Sequence, residues 1–320
     1  MAIGVLEDRS ARCPFWYSIP RLARLPQVTR AIEKPELPCV CGSHRYSLEL
    51  EGLFNRHMCV NYPFRVLRCS ACGLHRTDPP PYEDDATAPV YQEGLGGGEG
   101  EALSRTGDLG DESESAFVEY AEQVLQYLGR FVPAGRLLDV GCSSGSLMAA
   151  AQRAGYEVAG VELYRTAAEY AAQRTGAPVV IGTLDDVPFE ADSFDAVVMS
   201  HVFEHVTDPN GTLTKLRRLL RPGGVLLLSC PNYGSVLRRV YGVNWYGLSP
   251  QFHMWQFTPA SLARIVRAGG FDLELVSSRE CMAYEMEPSV KGVARWALAR
   301  AASAIRSGDA VWVAARKPAV

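Results

Sequence analysis

Two cysteine pairs, one small-residue turn with an acidic residue downstream, and a set of histidines are the parts of this 320-residue chain that can do chemistry. Cys39-Val40-Cys41-Gly42 and Cys69-Ser70-Ala71-Cys72-Gly73 are close thiol pairs. Tetrahedral thiolate coordination of Zn²⁺ needs two such pairs brought together by a hairpin. The second pair has the usual two intervening residues and the first has one, so His44, His57 or Cys59 could serve as a substitute ligand. Four thiolates leave no open coordination position, so the expected ion is structural. Four buried free thiols acting as small hydrophobes are the alternative. Elsewhere, the apolar run Leu137-Leu138-Asp139-Val140 enters the turn Gly141-Cys142-Ser143-Ser144-Gly145-Ser146 and then a helix-length segment, Leu147 to Arg153. Small residues let a backbone approach a ligand closely, and a helix start offers free N–H groups and a positive dipole end, so an anionic group belongs there. Glycine turns also serve tight packing, but the next apolar run ends at Gly160-Val161-Glu162-Leu163, 23 positions beyond Asp139 for Glu162. A carboxylate there can accept from both ribose hydroxyls, which meets a second requirement of an adenosine-bearing ligand. His201, Glu204 and His205 are spaced i, i+3, i+4; on a helix they would share one face and could receive a divalent cation, or simply cap and pack. His253 lies in an aromatic stretch with Trp245, Tyr246, Phe252 and Trp255, which form a substrate wall or cover the sheet edge. It is expected to reach a reacting group, with His201 facing it. His201, His205 and His253 are thus the candidate bases, an ordinary hydrogen-bonded histidine being the plainer reading of each.

These groups need a scaffold. Apolar strand candidates run Arg136 to Gly141, Glu157 to Leu163, Pro178 to Gly182, Phe194 to Ser200, Val225 to Cys230, Phe271 to Ser277 and Ala310 to Ala315, mostly separated by helix-length segments. That alternation implies an α/β domain over 116–320, with a mostly parallel sheet and helices on both faces. It opens with Phe117, Ala121, Val124, Leu125 and Leu128 at helical spacing. One helix is bounded in detail: Thr258 is a good N-cap, Pro259 suits the first turn and Gly269-Gly270 supplies the stop. Residues 37–79 carry the paired cysteines between alternating runs, Tyr46 to Leu50 and Phe64 to Arg68, which suits a small metal-stapled β module. Residues 1–36 read as a surface arm, and 80–115, acidic and rich in glycine, as a linker or lid. The stretch Val290 to Arg306 reads as a helix packed between the last two strands, or grazing a membrane surface.

From Asp139 onward the motifs resemble those of class I S-adenosylmethionine (SAM) dependent methyltransferases, in the bacterial branch with an Asp-x-Gly-x-x-x-Gly loop and a His-x-x-Glu-His segment. The matching series is the loop, Glu162, Gly182-Thr183-Leu184-Asp185-Asp186-Val187-Pro188-Phe189, Ser193-Phe194-Asp195, Ser200 to Val206, Asp208-Pro209 and Leu220-Arg221-Pro222-Gly223-Gly224. The resemblance covers about residues 115 to 320 and implies a Rossmann-like, doubly wound, seven-stranded sheet. It further implies that Asp139, Gly141 and Gly145 cradle the aminocarboxypropyl end of SAM and that Glu162 holds the ribose. Leu163 and Leu184 would flank the adenine, Asp185 or a neighbouring N–H would address its edge, and Ser200 would lie near the sulfonium. Ser143-Ser144 stands where many relatives show a further glycine. A cation at the His-x-x-Glu-His segment is what the similarity to quinone-biosynthesis O-methyltransferases implies. The segment Leu67 to Pro81 resembles the amino-terminal cysteine modules of sugar C-methyltransferases, a zinc-ribbon-like unit in which Pro38 replaces a usual cysteine. A dinucleotide oxidoreductase would want Gly-x-Gly-x-x-Gly, which is absent from this turn.

Composition narrows the function. The net charge of −4 and the acidic stretch give no global attraction to nucleic acid, and no Lys/Arg-rich stripe is present. Glu7, Asp8 and Arg9 interrupt the place where a secretory signal needs an apolar core, and no stretch reaches about 18 apolar residues. The expectation is a cytoplasmic methyltransferase acting by O- or C-methylation on a small-molecule or sugar acceptor. The alternatives are an RNA-modifying enzyme and a non-catalytic SAM-binding protein.

Overall fold

The computed structural model describes residues 38–51, 54–55, 60–61, 64–78, 80, 111–250, 252–279, 297–298, 300–302, 304 and 307–319. The arm, most of the acidic stretch, most of 290–306, and His57, Cys59 and the Tyr246 side chain lie outside the described residues. In chain order the amino-terminal strands are β1 (Tyr46–Leu50), β2 (Phe54–Asn55), β3 (Val60–Asn61), β4 (Arg65–Cys69) and β5 (His75–Asp78). Then come α1 (Asp111–Leu128), β6 (Gly135–Val140), α2 (Ser146–Arg153), β7 (Tyr156–Glu162), α3 (Arg165–Thr175), β8 (Val179–Ile181) and β9 (Phe194–Ser200). The chain closes with α4 (Pro209–Leu219), β10 (Leu220–Pro231), α5 (Val236–Tyr241), β11 (Trp255–Gln256), α6 (Pro259–Ala268), β12 (Asp272–Arg279) and β13 (Ala310–Arg316).

Seven strands form the central sheet in the order β12-β13-β10-β9-β6-β7-β8. β9 pairs in parallel with both β6 and β10, whereas β13 runs antiparallel between β10 and β12. Alternation along the buried strands splits the core into two layers. Leu137, Ala196, Val198 and Leu227 meet α1, α2 and α3, while Leu138, Val197, Met199 and Leu226 meet α4 and α6. The chain builds β6, β7 and β8 outward, then returns past β6 to start β9. That reversal puts the sheet's topological switch point at the carboxyl ends of β6 and β9, where ligands bind in open α/β sheets.

Helix α1 starts at Asp111, inside the acidic stretch read as a linker. Its Phe117 is exposed, and the buried stripe begins at Ala121. Thr258 does cap α6: its Oγ1 accepts from Ser261 N at 3.2 Å, and Ser261 Oγ accepts from Thr258 N at 2.8 Å. Thr258→Ala is expected to cost about 1 kcal/mol, read as a lower denaturant midpoint with unchanged slope.

A second, four-stranded antiparallel sheet has the order β1-β4-β5-β11. Its fourth strand comes from far along the chain, with Trp255 opposite Arg76 and Gln256 opposite His75. Cys39, Leu48, Leu67, Cys69 and Leu74 belong to the same apolar layer as α4 and α6, so the cysteine sheet packs on the core. No helix among the described residues is long and apolar enough to cross a membrane.

Candidate functional site

The turn after β6 needs its glycines. Gly141 and Gly145 both have φ of 76°, and a Cβ on Gly141 would lie 2.3 Å from Val202 Cγ2. Ser143 also takes a left-handed φ of 46°, and the Glu162 carboxylate holds it there. Glu162 Oε2 accepts from Ser143 N at 2.8 Å, and Oε1 accepts from Tyr164 N at 3.0 Å. Glu162 and Asp139 are both buried, on neighbouring parallel strands. Burial raises both carboxyls, and the nearby Glu162 charge adds to the effect on Asp139, which is pushed up to about 7. Burial thus penalises charge on both carboxyls, a penalty that a cationic ligand would relieve.

Leu163 and Leu184 are half-buried along the same edge. Asp185 points outward to Lys215 Nζ at 2.6 Å, while Asp186 closes the turn by accepting from Thr183 N at 2.8 Å. Ser200 joins a hydroxyl trio: its Oγ lies 2.7 Å from Tyr120 OH and 2.8 Å from Ser229 Oγ. Tyr120 and Ser229 were not singled out in the sequence, where each looks like ordinary helix or strand material.

The histidine segment differs from expectation. Residues 201–206 are not helical: β9 stops at Ser200, His201 takes a left-handed φ of 54°, and a tight turn follows with His205 N donating to Val202 O at 3.0 Å. His201, Glu204 and His205 therefore do not share a helical face. His201 Nδ1 lies 3.4 Å from Glu204 Oε1, and its ring faces Tyr120 at 6.0 Å. The sequence predicts His201 facing His253; the ring packed edge-on against His253, at 4.8 Å, is that of His205. His205 Nδ1 lies 2.9 Å from Phe252 O and His253 Nδ1 lies 2.9 Å from Gly247 O. A carbonyl can only accept, so each Nδ1 carries its proton. Burial, and then the neighbouring His205, pushes His253 down to about 4, leaving it neutral with Nε2 as the proton-accepting atom. Burial works to raise the Glu204 carboxyl, but the His201 hydrogen bond and the surrounding imidazoles outweigh it and hold it near 2. Atoms of Glu204, His205 and His253 lie within 4.8 Å of one another, so His253 replaces His201 in the only histidine–carboxylate group with cation-binding spacing among the described residues.

The four cysteines converge. Cys39 Sγ lies 3.5 Å from Cys72 Sγ, Cys41 Sγ lies 3.7 Å from Cys69 Sγ, and all four sulfurs fall within 4.8 Å. These are distances for thiolates around one tetrahedral ion, whose S···S edges are about 3.8 Å, and too long for disulfides. Despite unequal spacing, both pairs close similar turns: Gly42 N donates to Cys39 O, Gly73 N donates to Cys69 O, and both glycines have φ near the left-handed value at 79° and 73°. Burial raises Cys69, yet the backbone N–H groups of Cys72 and Ala71 overcome it and bring that thiol down to about 7. His44 is exposed and outside the cluster.

A sheet reversed beside β6, a glycine turn and a carboxylate on the next strand tip define a methyltransferase-type crevice. Residues 113–276, just over half of the chain, match the family model described as a methyltransferase domain, and the chain belongs to that family. The ubiquinone biosynthesis O-methyltransferase of Xanthomonas axonopodis pv. citri is 35% identical over 175 residues, covering 50% of this chain and 72% of that protein. The protein of the same name from Cereibacter sphaeroides is 32% identical over 148 residues, 43% of this chain; the match spans only 60% of that relative's length. Among solved structures, a SAM-dependent methyltransferase of Thermotoga maritima aligns with a TM-score of 0.50 at 21% identity, over 68% of this chain and 98% of that one, a likeness of fold alone.

Proposed function

We propose that the chain is a SAM-dependent methyltransferase that methylates a hydroxyl of a small molecule. The observation that carries this reading is the pair of buried carboxylates, Asp139 and Glu162, beside a glycine turn at the sheet's reversal point. When bound, SAM supplies a methyl group on a positively charged sulfur. Asp139, Gly141 and Gly145 would receive its aminocarboxypropyl end, Glu162 its ribose, and Leu163 and Leu184 the faces of its adenine. The turn at Thr183–Asp186 would meet the adenine edge through backbone N–H groups, since the Asp185 side chain is engaged by Lys215. Ser200 would sit nearest the sulfur, backed by Tyr120 and Ser229.

On the acceptor side, His253 Nε2 would take the hydroxyl proton as the acceptor oxygen receives the methyl group that bound SAM would supply. His205 packs against the base, and His201 and Glu204 hold the turn beneath it. The names of the two bacterial relatives support O-methylation of a small molecule over a sugar or RNA acceptor. The acidic balance of the chain also opposes RNA. We assign Cys39, Cys41, Cys69 and Cys72 to one structural Zn²⁺, on the sulfur distances alone.

Calorimetric titration with SAM and S-adenosylhomocysteine tests the donor assignment, and absence of binding by the wild type overturns it. Incubation with labelled SAM and separate pools of quinol precursors, nucleotide sugars and total RNA tests the acceptor; label in RNA alone reverses our ranking. The Asp139 shift gives a pH signature. Its folded value, raised to about 7, means that stability from this group is complete below its unfolded value and is lost as pH rises through 7. A cationic donor needs Asp139 ionised, so binding should release a proton below pH 7 and tighten between about pH 6 and 8. Titrations in buffers of different ionisation enthalpy read that release; identical heats at pH 6 refute it.

A further inference from the structure

The acceptor histidine is held by the cysteine sheet. Thr77, fully buried on β5, donates from Oγ1 to His253 O at 2.6 Å, and its N–H donates to Met254 O at 2.9 Å. The next two residues form β11 against Arg76 and His75. From there Trp255 N donates to Glu204 O at 3.1 Å and Trp255 Nε1 to Val206 O at 2.8 Å, so one extended segment ties β5 to the histidine turn. Thr77 lies five residues beyond Cys72. Cys69 N donates to Leu74 O at 2.8 Å, which locks the knuckle to the start of β5.

The methyltransferase domain grips the knuckles themselves. Asn210 Nδ2 donates to Val40 O at 3.0 Å, and Arg264 Nη1 donates to Cys72 O. Both acceptors are main-chain carbonyls inside the cysteine turns, so this docking depends on the shape of those turns. None of the hydrogen bonds given above for the Gly141 turn or Glu162 comes from residues 38–80.

We infer that the cysteine module is the positioning wall of the acceptor site: Thr77 is a positioning residue that fixes His253, and occupancy of the four-cysteine site governs the acceptor side while leaving the donor crevice unchanged. This rests on the reading of His253 as the acceptor-side base. Without metal, the knuckles open, Asn210 and Arg264 lose their acceptors, and β5 no longer presents Thr77 in register with residue 253. The module is thereby a part of the catalytic domain's wall and not an appended binding unit.

Thr77→Val, which keeps the shape and removes the hydroxyl donor, and zinc-depleted wild type test this by amide hydrogen exchange and by ¹H–¹⁵N NMR of the histidine rings. Loss of one buried hydrogen bond should speed exchange over 253–257 about fivefold to tenfold in Thr77→Val, and metal removal should speed it more. The His253 ring signal should shift in both, and Thr77→Ser should restore it. In Thr77→Val, exchange over 141–145 and affinity for S-adenosylhomocysteine should stay within about twofold of wild type, as for any site outside the perturbed segment. Unchanged exchange over 253–257 with an unchanged His253 signal overturns the inference, as does equal loosening of the donor turn. Wild-type protein that fails to bind S-adenosylhomocysteine instead defeats the proposed function, because exchange and ring signals are read without cofactor.

Discussion

Glu162→Ala should weaken binding of S-adenosylhomocysteine by about a hundredfold or more, to the edge of detection by calorimetry. The size of the effect follows from what this carboxylate does in the folded chain. Its two oxygens accept from Ser143 N and Tyr164 N, so removal frees two donors at the mouth of the crevice and deletes the proposed ribose acceptor at once. A charge-assisted hydrogen bond contributes about 1.5–3 kcal/mol, and two or three of these account for a loss of that order. Glu162→Gln keeps one good acceptor and should fall between alanine and wild type. A wild-type dissociation constant in Glu162→Ala would falsify the donor assignment.

Replacing Cys69 or Cys72 by serine should abolish the proposed zinc site and lower the thermal midpoint by about 10 °C, since binding of a structural ion is folding energy and each kcal/mol is worth about 2–4 °C in a domain of this size. Both residues lie on β4 or its turn, and the sheet they organise contributes Leu48, Leu67 and Leu74 to the layer shared with α4 and α6. The loss therefore reaches the main core and should appear as a shift of the whole transition. Metal analysis of protein purified without added zinc should give about one zinc per wild-type chain and almost none in Cys69→Ser. Equal metal content and equal midpoints mean that the four sulfurs are no more than small buried hydrophobes.

The glycine turn and the acid on the next strand were legible in the sequence because their requirements are local. An apolar strand, a glycine that must take positive φ and an acid at the next strand end are each encoded within ten residues, as the capping pair Thr258 and Ser261 is for α6. The acceptor side was not. A spacing of i, i+3, i+4 at His201, Glu204 and His205 reads as a helical face, yet a single tight turn satisfies the same spacing, and left-handed φ at a histidine has no signature in composition. The contact between His205 and His253 joins residues far apart in the chain. β11 is two residues long, too short for any periodicity, and its partner β5 lies in the cysteine module. Tyr120 gave no sign that its hydroxyl, and not only its ring, would be used between Ser200 and Ser229.

The corner at Ser143 carries a further consequence. An L-residue bent into a mirror-image backbone basin stores energy, and here the restraint is the same acid that we propose receives the ribose of SAM. Architecture and recognition thus draw on a single side chain. Any affinity measured at this pocket includes the work of keeping that corner cocked, so the donor meets a surface sprung into shape before it arrives.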